Sequence, residues 1–233
     1  MIESLLRKYQ STFHPVVPFD AKHEKLLKFD FTSNNKTLTK DVFADTEKFS
    51  SYINTQLQNA HAKYGIGGYN ENRKIYSRST HFGSNEEEPR RLHLAIDIWG
   101  NAGTPVFAPL SGMVHSFAFN NNFADYGATI ILSHQLDGIS FYTLYGHLSL
   151  KDINMLNEGK YINSGQEFAH FGLPHENGQW PPHLHFQVII DMEFKKGDYP
   201  GVCKLSEKEK YLHNCPDPDL ILQMRRYALN KNN

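Results

Sequence analysis

The sequence predicts a mainly β protein, α+β overall, in which an antiparallel sandwich or barrel-like core carries helical additions at both ends. Two observations lead there. Between Leu92 and about Ile190 the chain breaks into short β-branched and aromatic segments, punctuated by Gly, Pro and Asn: T-P-V-F-A-P-L, G-M-V-H-S-F-A-F, G-A-T-I-I-L-S-H, F-Y-T-L-Y-G-H-L and H-L-H-F-Q-V-I-I. No helix-length period separates them, which argues against repeated βαβ units and for antiparallel sheets folded against each other.

The flanks have a different texture. A short amphipathic helix is predicted from Ile2 to about Gln10, and a better one from about Asp45 to Lys63, where Phe49, Tyr52, Ile53, Leu57 and Ala60 recur at three- and four-residue steps. The three glycines of K-Y-G-I-G-G-Y should stop that helix near Gly65. The charged run N-E-E-E-P, between Ser84 and Arg90, reads as a solvated loop. After Asp191, S-E-K-E-K-Y-L and D-L-I-L-Q-M-R-R-Y-A-L predict one or two closing helices. The expected organisation is therefore a helical N-terminal extension over residues 1–85, a β-rich domain over 86–192 and a helical C-terminal extension over 193–233.

Composition narrows the function classes. At 233 residues the chain is long enough to bury a core without staples. Twenty-four basic against 25 acidic residues leave a net charge of −1, which gives no electrostatic footprint for nucleic acid or anionic membranes. No apolar run approaches the roughly 18 residues of a membrane span. The N-terminus lacks the apolar stretch and cleavage site of a signal peptide, so a cytoplasmic location is expected on its face, and a periplasmic or secreted one if a leader has been removed. Cys203 and Cys215 are too few for a disulfide scaffold, although they could pair with each other. Thirteen histidines are the unusual feature, and several are grouped.

In H-L-A-I-D, His93 and Asp97 stand four residues apart. In P-P-H-L-H-F-Q-V, His183 and His185 alternate in an apparent strand, whose period of two directs both imidazoles to one face. Y-G-H-L places His147 at the end of another strand-like run. Singly these are weak; together they supply three or more imidazoles and one carboxylate, the donor set that zinc prefers in catalytic sites. Zinc lowers the pKa of a water towards about 7 and polarises a carbonyl oxygen, and spare histidines suit the proton transfers of amide hydrolysis.

The ordered combination R-R-L-H-L-A-I-D, A-G-T-P-V-F-A-P-L-S-G-M-V, D-Y-G-A-T-I-I-L-S-H, L-Y-G-H-L-S, G-K-Y-I-N-S-G-Q-E-F-A-H-F-G and H-L-H-F is similar to the lysostaphin/LytM-type zinc metalloendopeptidases. The similarity spans roughly residues 90–190. It implies one zinc ion on His93, Asp97 and His185, catalytic roles for His147 and His183, and a peptide or peptidoglycan substrate. Two other functions stay open: an intracellular zinc amidase or peptidase acting on a non-wall substrate, and a non-catalytic binding module on the same fold.

Departures from the family pattern are informative. Ala95 stands where glycine is frequent, a small change unless the backbone needs positive φ. Gln187 replaces a common acidic residue after H-L-H-F, and L-P-H-E-N-G-Q-W-P-P replaces a small, flexible turn, so Trp180 is expected either as a stiff wall beside the cleft or as core. Tyr145, two residues before His147, is a candidate for the same face. His134, His115, His170 and His175 read as structural or exposed. G-G-Y-N-E-N-R reads as a turn, with Asn70 or Asn72 the candidates for the asparagine plug by which latent relatives block their zinc.

Overall fold

The computed structural model describes residues 2–83, 86–154 and 156–229. Helices α1 (Ile2–Lys8), α2 (Lys40–Ala44), α3 (Thr46–Asn59), α4 (Lys208–Asn214) and α5 (Asp219–Leu222) flank a strand-rich centre. The strands are β1 (Leu26–Lys28), β2 (Tyr64–Gly67), β3 (Glu71–Asn72), β4 (Leu92–His93), β5 (Ile96–Trp99), β6 (Pro105–Phe107), β7 (Gly112–Asn120), β8 (Gly127–Leu136), β9 (Ile139–Leu148), β10 (Tyr161–Ile162), β11 (Glu167–His170), β12 (His183–Ile189), β13 (Val202–Cys203) and β14 (Ala228–Leu229). The protein is mainly β with helices at both ends.

One nine-stranded sheet, in the order β10-β7-β8-β9-β12-β5-β2-β1-β14, dominates. Its central strands are antiparallel, but β1 pairs parallel with both β2 and β14. Parallel neighbours need a long crossover, and the chain between β1 and β2 supplies one through α2 and α3. The parallel pairs involve only strands of the two extensions, outside the 86–192 core for which antiparallel sheets are expected. Two small sheets complete the set, β11-β6 and β13-β4-β3.

Each helix ends for a local reason. Asp45 caps α3 by accepting a hydrogen bond from the Lys48 backbone N–H, and Phe49, Ile53 and Leu57 form its buried stripe. It stops at Asn59, earlier than Gly65, where His61 turns left-handed at φ +50° and the Ala62 N–H bonds back to the Leu57 carbonyl at 2.9 Å, before β2 begins at Tyr64. Gly65 and Gly67 therefore do more than end a helix. A Cβ on Gly65 would lie 1.9 Å from the Phe29 ring, and one on Gly67 would lie 2.8 Å from the Phe29 carbonyl oxygen, so only glycine lets that segment cover β2. Of the two closing helices, α5 is a single turn ended by Gln223 at φ +51°. Residues 84 and 85 of the expected solvated loop lie outside the described residues; Glu86 and Glu87 beside them are exposed.

The extensions are thus stitched into the central sheet: β1 and β2 from the N-terminal side, β14 from the C-terminal side. An aromatic layer of Phe29, Phe31 and Phe49 packs around Trp99 of β5, and Trp180 joins it through Phe49. No helix among the described residues is long and apolar enough to cross a membrane.

Candidate metal centre

Register explains how distant residues meet. In the β5–β12 pair, Asp97 lies opposite His185 and Trp99 opposite His183. Directly paired residues share a sheet face, so Asp97 and His185 point the same way, and His183 stacks on the Trp99 indole at 3.8 Å between centroids. His93 belongs to the small sheet; a bend at Ala95 swings the chain from β4 into β5 and brings His93 back over Asp97. Ala95 is not among the positive-φ residues, so its methyl group fits.

The three donor atoms converge. His93 Nε2 lies 3.1 Å from His185 Nδ1, and Asp97 Oδ1 lies 3.4 Å from the former and 3.3 Å from the latter. Ligands about 2.0–2.1 Å from a tetrahedral zinc ion stand about 3.4 Å apart, so these separations are those of one face of such a tetrahedron. All three residues are buried.

Hydrogen bonding sets the tautomers. His93 Nδ1 donates to the Gly68 carbonyl at 3.0 Å, which leaves a lone pair on Nε2. His185 Nε2 donates to Gln187 Oε1 at 3.0 Å, which leaves a lone pair on Nδ1. The Gln187 amide is oriented in turn, because its nitrogen donates to the Pro200 carbonyl at 3.1 Å and to Cys215 Sγ at 3.3 Å. Gln187 thus orients the imidazole as a neutral acceptor where an acidic residue was expected by family pattern. Asp97 Oδ1 is buried without a hydrogen-bond partner. Three lone pairs facing one point, with an orphaned carboxylate oxygen among them, suit a cation.

His147 and His183 adjoin this cluster. Their rings stand 4.1 Å apart, and His183 Nε2 is 4.0 Å from Asp97 Oδ1. His147 Nδ1 donates to the Asn177 carbonyl and His183 Nδ1 to that of Pro181, each at 2.8 Å, leaving both Nε2 atoms free. His147 is held at φ +63°, an uncommon backbone conformation for a non-glycine residue. Beside the five residues lies a space of about 20 Å³, enough for one water, and a larger cavity of about 120 Å³ bordered by Tyr126, His147, Trp180 and His185.

Burial pushes His183 down to about 4 and His93, helped by the Arg73 cation, down to about 3; burial and the neighbouring His183 also hold His147 well below the usual range. All three imidazoles are neutral at neutral pH. Burial works against the Asp97 charge, but the Arg73 cation counters it, and the carboxyl is held well below the usual range.

Some sequence expectations move. Tyr145 does not join the site: a register irregularity in the β8–β9 pair and the left-handed backbone at His147 break the strict alternation. Its hydroxyl instead accepts from Thr143 Oγ1 at 3.0 Å inside the core. Trp180, 3% exposed, is both core and wall, since it packs on Phe49 and Tyr76 and borders the cavity. Asn70 forms a turn at φ +56°, and Asn72 pairs with Leu92 in β3. Cys203 and Cys215 are both buried free thiols.

Three residues near the site were not singled out by sequence. Tyr126 places its hydroxyl 3.3 Å from His185 Nε2. Asn177 pins the H-E-N-G-Q-W turn, accepting from the Trp180 N–H at 3.0 Å and donating to the Gly172 carbonyl at 3.1 Å. Arg73, in the run just after the expected asparagine plug, contacts Asp97 Oδ2 through Nη1.

Residues 91–196 match the family model described as peptidase family M23. This part of the chain, under half of its length, is similar to that family. Among solved structures, the chain is similar to a zinc-containing peptidase from Vibrio cholerae, at 26% identity over 42% of this chain and 27% of that one, with a TM-score of 0.34. The catalytic domain of lysostaphin from Staphylococcus simulans matches at 22% identity, 69% and 97% coverage and a TM-score of 0.39. An M23 peptidase structure described as putative, from Pseudomonas aeruginosa, matches at 21% identity, 58% and 47% coverage and a TM-score of 0.37. The chain thus spans about a quarter of the Vibrio protein and under half of the Pseudomonas one. No curated protein matches the chain.

Two of the remaining histidines take structural places. His134 is buried, with Nδ1 bonded to the Ser111 carbonyl at 3.0 Å and Nε2 to Thr143 Oγ1 at 2.7 Å, whereas His170 pairs with Asp152 and Glu167. Burial lowers His134 to about 4. The unfolded chain takes up this proton near pH 6.5, the folded protein only near 4, so the effect is absent well above 6.5 and destabilisation grows as pH falls between the two. At pH 5 it amounts to about 2 kcal/mol. In thermal melts of chelator-treated protein, His134→Gln should therefore lose less stability than wild type between pH 7 and pH 5. Equal losses would show that the dependence lies elsewhere.

Proposed function

We propose that the protein is a zinc-dependent metalloendopeptidase that hydrolyses a peptide bond in peptidoglycan or in a peptide derived from it. The observation that carries this reading is the convergence of three donor atoms, one of them the orphaned Asp97 Oδ1, beside two buried imidazoles with free Nε2 atoms. His93, Asp97 and His185 would hold the ion. When bound, zinc supplies Lewis-acid polarisation of a carbonyl oxygen and lowers the pKa of water.

The rest is work for the chain's own side chains. His183, braced by the Trp99 stack and by its bond to the Pro181 carbonyl, accepts at Nε2 the proton of the attacking water. As the new C–O bond forms, negative charge gathers on the scissile carbonyl oxygen, and an Nε2–H of the His147/His183 pair stabilises it. The C–N bond then breaks, and the same pair returns the proton to the leaving nitrogen. Trp180 and the Pro181–Pro182 step exclude bulk water from one side.

Zinc-loaded protein should release peptide fragments from purified sacculi, identified by mass spectrometry. Cleavage of soluble peptides but not of sacculi would redirect the reading to a non-wall peptidase; cleavage of neither would sink it. His147→Ala and His183→Ala should each retain zinc and slow hydrolysis by about 10²–10⁴-fold. Near-normal turnover in both, with zinc content measured on the same samples, would return these histidines to a structural role.

A further inference from the structure

Arg73 is 1% exposed and belongs to no regular part of the M23 match, which begins at residue 91. Its guanidinium sits in a built socket. Nε donates to Glu71 Oε2 at 2.7 Å, Nη2 to the Gly67 carbonyl at 3.2 Å, and Nη1 to both Asp97 Oδ2 and, at 3.4 Å, the Tyr76 hydroxyl. Gly68 makes the socket possible: at φ +110°, a Cβ there would lie 1.7 Å from Arg73 Nη2 and 2.8 Å from His93 Nδ1. Only a residue without a side chain lets the guanidinium and the imidazole sit side by side. The β3–β4 pairing, Glu71 opposite His93, fixes the register of both.

We propose that Arg73 is a positioning residue of the metal centre, holding Asp97 Oδ2 so that Asp97 offers the ion Oδ1 alone. The inference rests on the metal reading of the site. A guanidinium has donors and no lone pair, so Arg73 cannot ligate a metal or act as the asparagine plug of latent relatives. What it can do is occupy one carboxylate oxygen. An Asp97 free to turn would bring both oxygens to the ion, filling the coordination place that substrate or water needs. Arg73, itself held by Glu71, the Gly67 carbonyl and the Tyr76 hydroxyl, also fixes the rotamer of the donor, which is the part played by groups hydrogen-bonded to a ligand. The N-terminal extension thereby completes the centre.

The test compares wild type, Arg73→Met and Arg73→Lys as full-length, chelator-treated proteins. Zinc affinity is read by competition with a chromophoric chelator, and coordination by the visible absorption of the cobalt(II) form, which is stronger for four-coordinate than for five-coordinate ions. Arg73→Met should bind zinc about 10–100-fold more weakly and show weakened cobalt bands. Arg73→Lys, which keeps a charge able to reach Oδ2 but not the fork, should recover most of the band intensity and only part of the affinity. If Arg73→Met merely melts earlier while its folded fraction keeps wild-type affinity and spectrum, Arg73 is a folding element and the inference fails. A lysine variant no better than the methionine one also overturns it. Should Arg73→Met not fold, Arg73→Gln takes its place, with at least a tenfold loss of affinity expected and wild-type affinity overturning the inference. Wild type that binds neither ion overturns the metal reading and this inference together; wild type that binds, with variants unchanged, overturns this inference alone.

Discussion

Asp97→Asn is expected to fold almost as well as the wild type and to lose zinc, whereas Asp97→Ala is expected to lose both zinc and much of its stability. The distinction follows from the two oxygens. Oδ1 faces His93 Nε2 and His185 Nδ1 without any hydrogen-bond partner, and Oδ2 meets the Arg73 guanidinium. An asparagine whose carbonyl oxygen turns to Arg73 keeps that contact, but its amide nitrogen then sits where an anionic donor is needed. Alanine removes both and leaves the buried Arg73 cation with Glu71 as its remaining carboxylate, a break that typically costs about 3–5 kcal/mol. Hydrolysis should fall to background in both variants, because a catalytic zinc site with two protein donors is incomplete. Metal analysis after dialysis against a mild chelator, with thermal melts of the metal-free proteins, reads the two effects separately. Full zinc retention by Asp97→Asn would refute Asp97 as a donor; unchanged melting of metal-free Asp97→Ala would refute the buried pairing with Arg73.

How much of this was legible in the sequence depends on how local each signal is. The β-rich centre announces itself through long strands of β-branched and aromatic residues; β7, β8, β9 and β12 all coincide with segments read from the sequence. The five candidate residues were legible because spacing along a strand is a local property: His183 and His185 share a face by period, and the order of the motifs supplied the rest. The structure brings all five together, His93 and Asp97 through the bend at Ala95. Tyr145 failed the same rule, since one register irregularity and the left-handed backbone at His147 were enough to undo the alternation. The strands of the extensions were illegible for a different reason. Y-G-I-G carries no strand period, and its glycines answer to the Phe29 segment, which lies more than thirty residues earlier in the chain. Arg73 was not singled out, because nothing adjacent in sequence shows that Glu71, the Gly67 carbonyl and Asp97 surround it.

A chain shortened to begin at Tyr76 is expected not to fold. We propose that the segment before it is part of one folding unit with the region that matches the M23 family model. Its β2 strand pairs directly with β5, placing Gly67 opposite Asp97, so its removal strips the hydrogen-bonding edge of the strand that carries the candidate ligand. The aromatic layer goes with it: Phe29, Phe31 and Phe49 pack around Trp99, which also stacks on His183. Leu26, Leu27, Phe29, Phe31, Phe49, Ile53, Tyr64 and Ile66 are all buried, and burying one such side chain is worth about 1.5–3 kcal/mol. Their joint loss, of order 10 kcal/mol or more, matches or exceeds the roughly 5–15 kcal/mol that stabilises a whole domain. A removable inhibitory plug would behave otherwise, because its deletion would leave a folded, zinc-binding and more active protein. Expression of the shortened chain, with circular dichroism, a cooperative melt and zinc content as readouts, separates the two. A soluble product that melts cooperatively and holds zinc would show that the sheet tolerates the loss of β1 and β2; an aggregated or molten product is the expected result, since removal also uncovers the Trp99 face and the edge of β5.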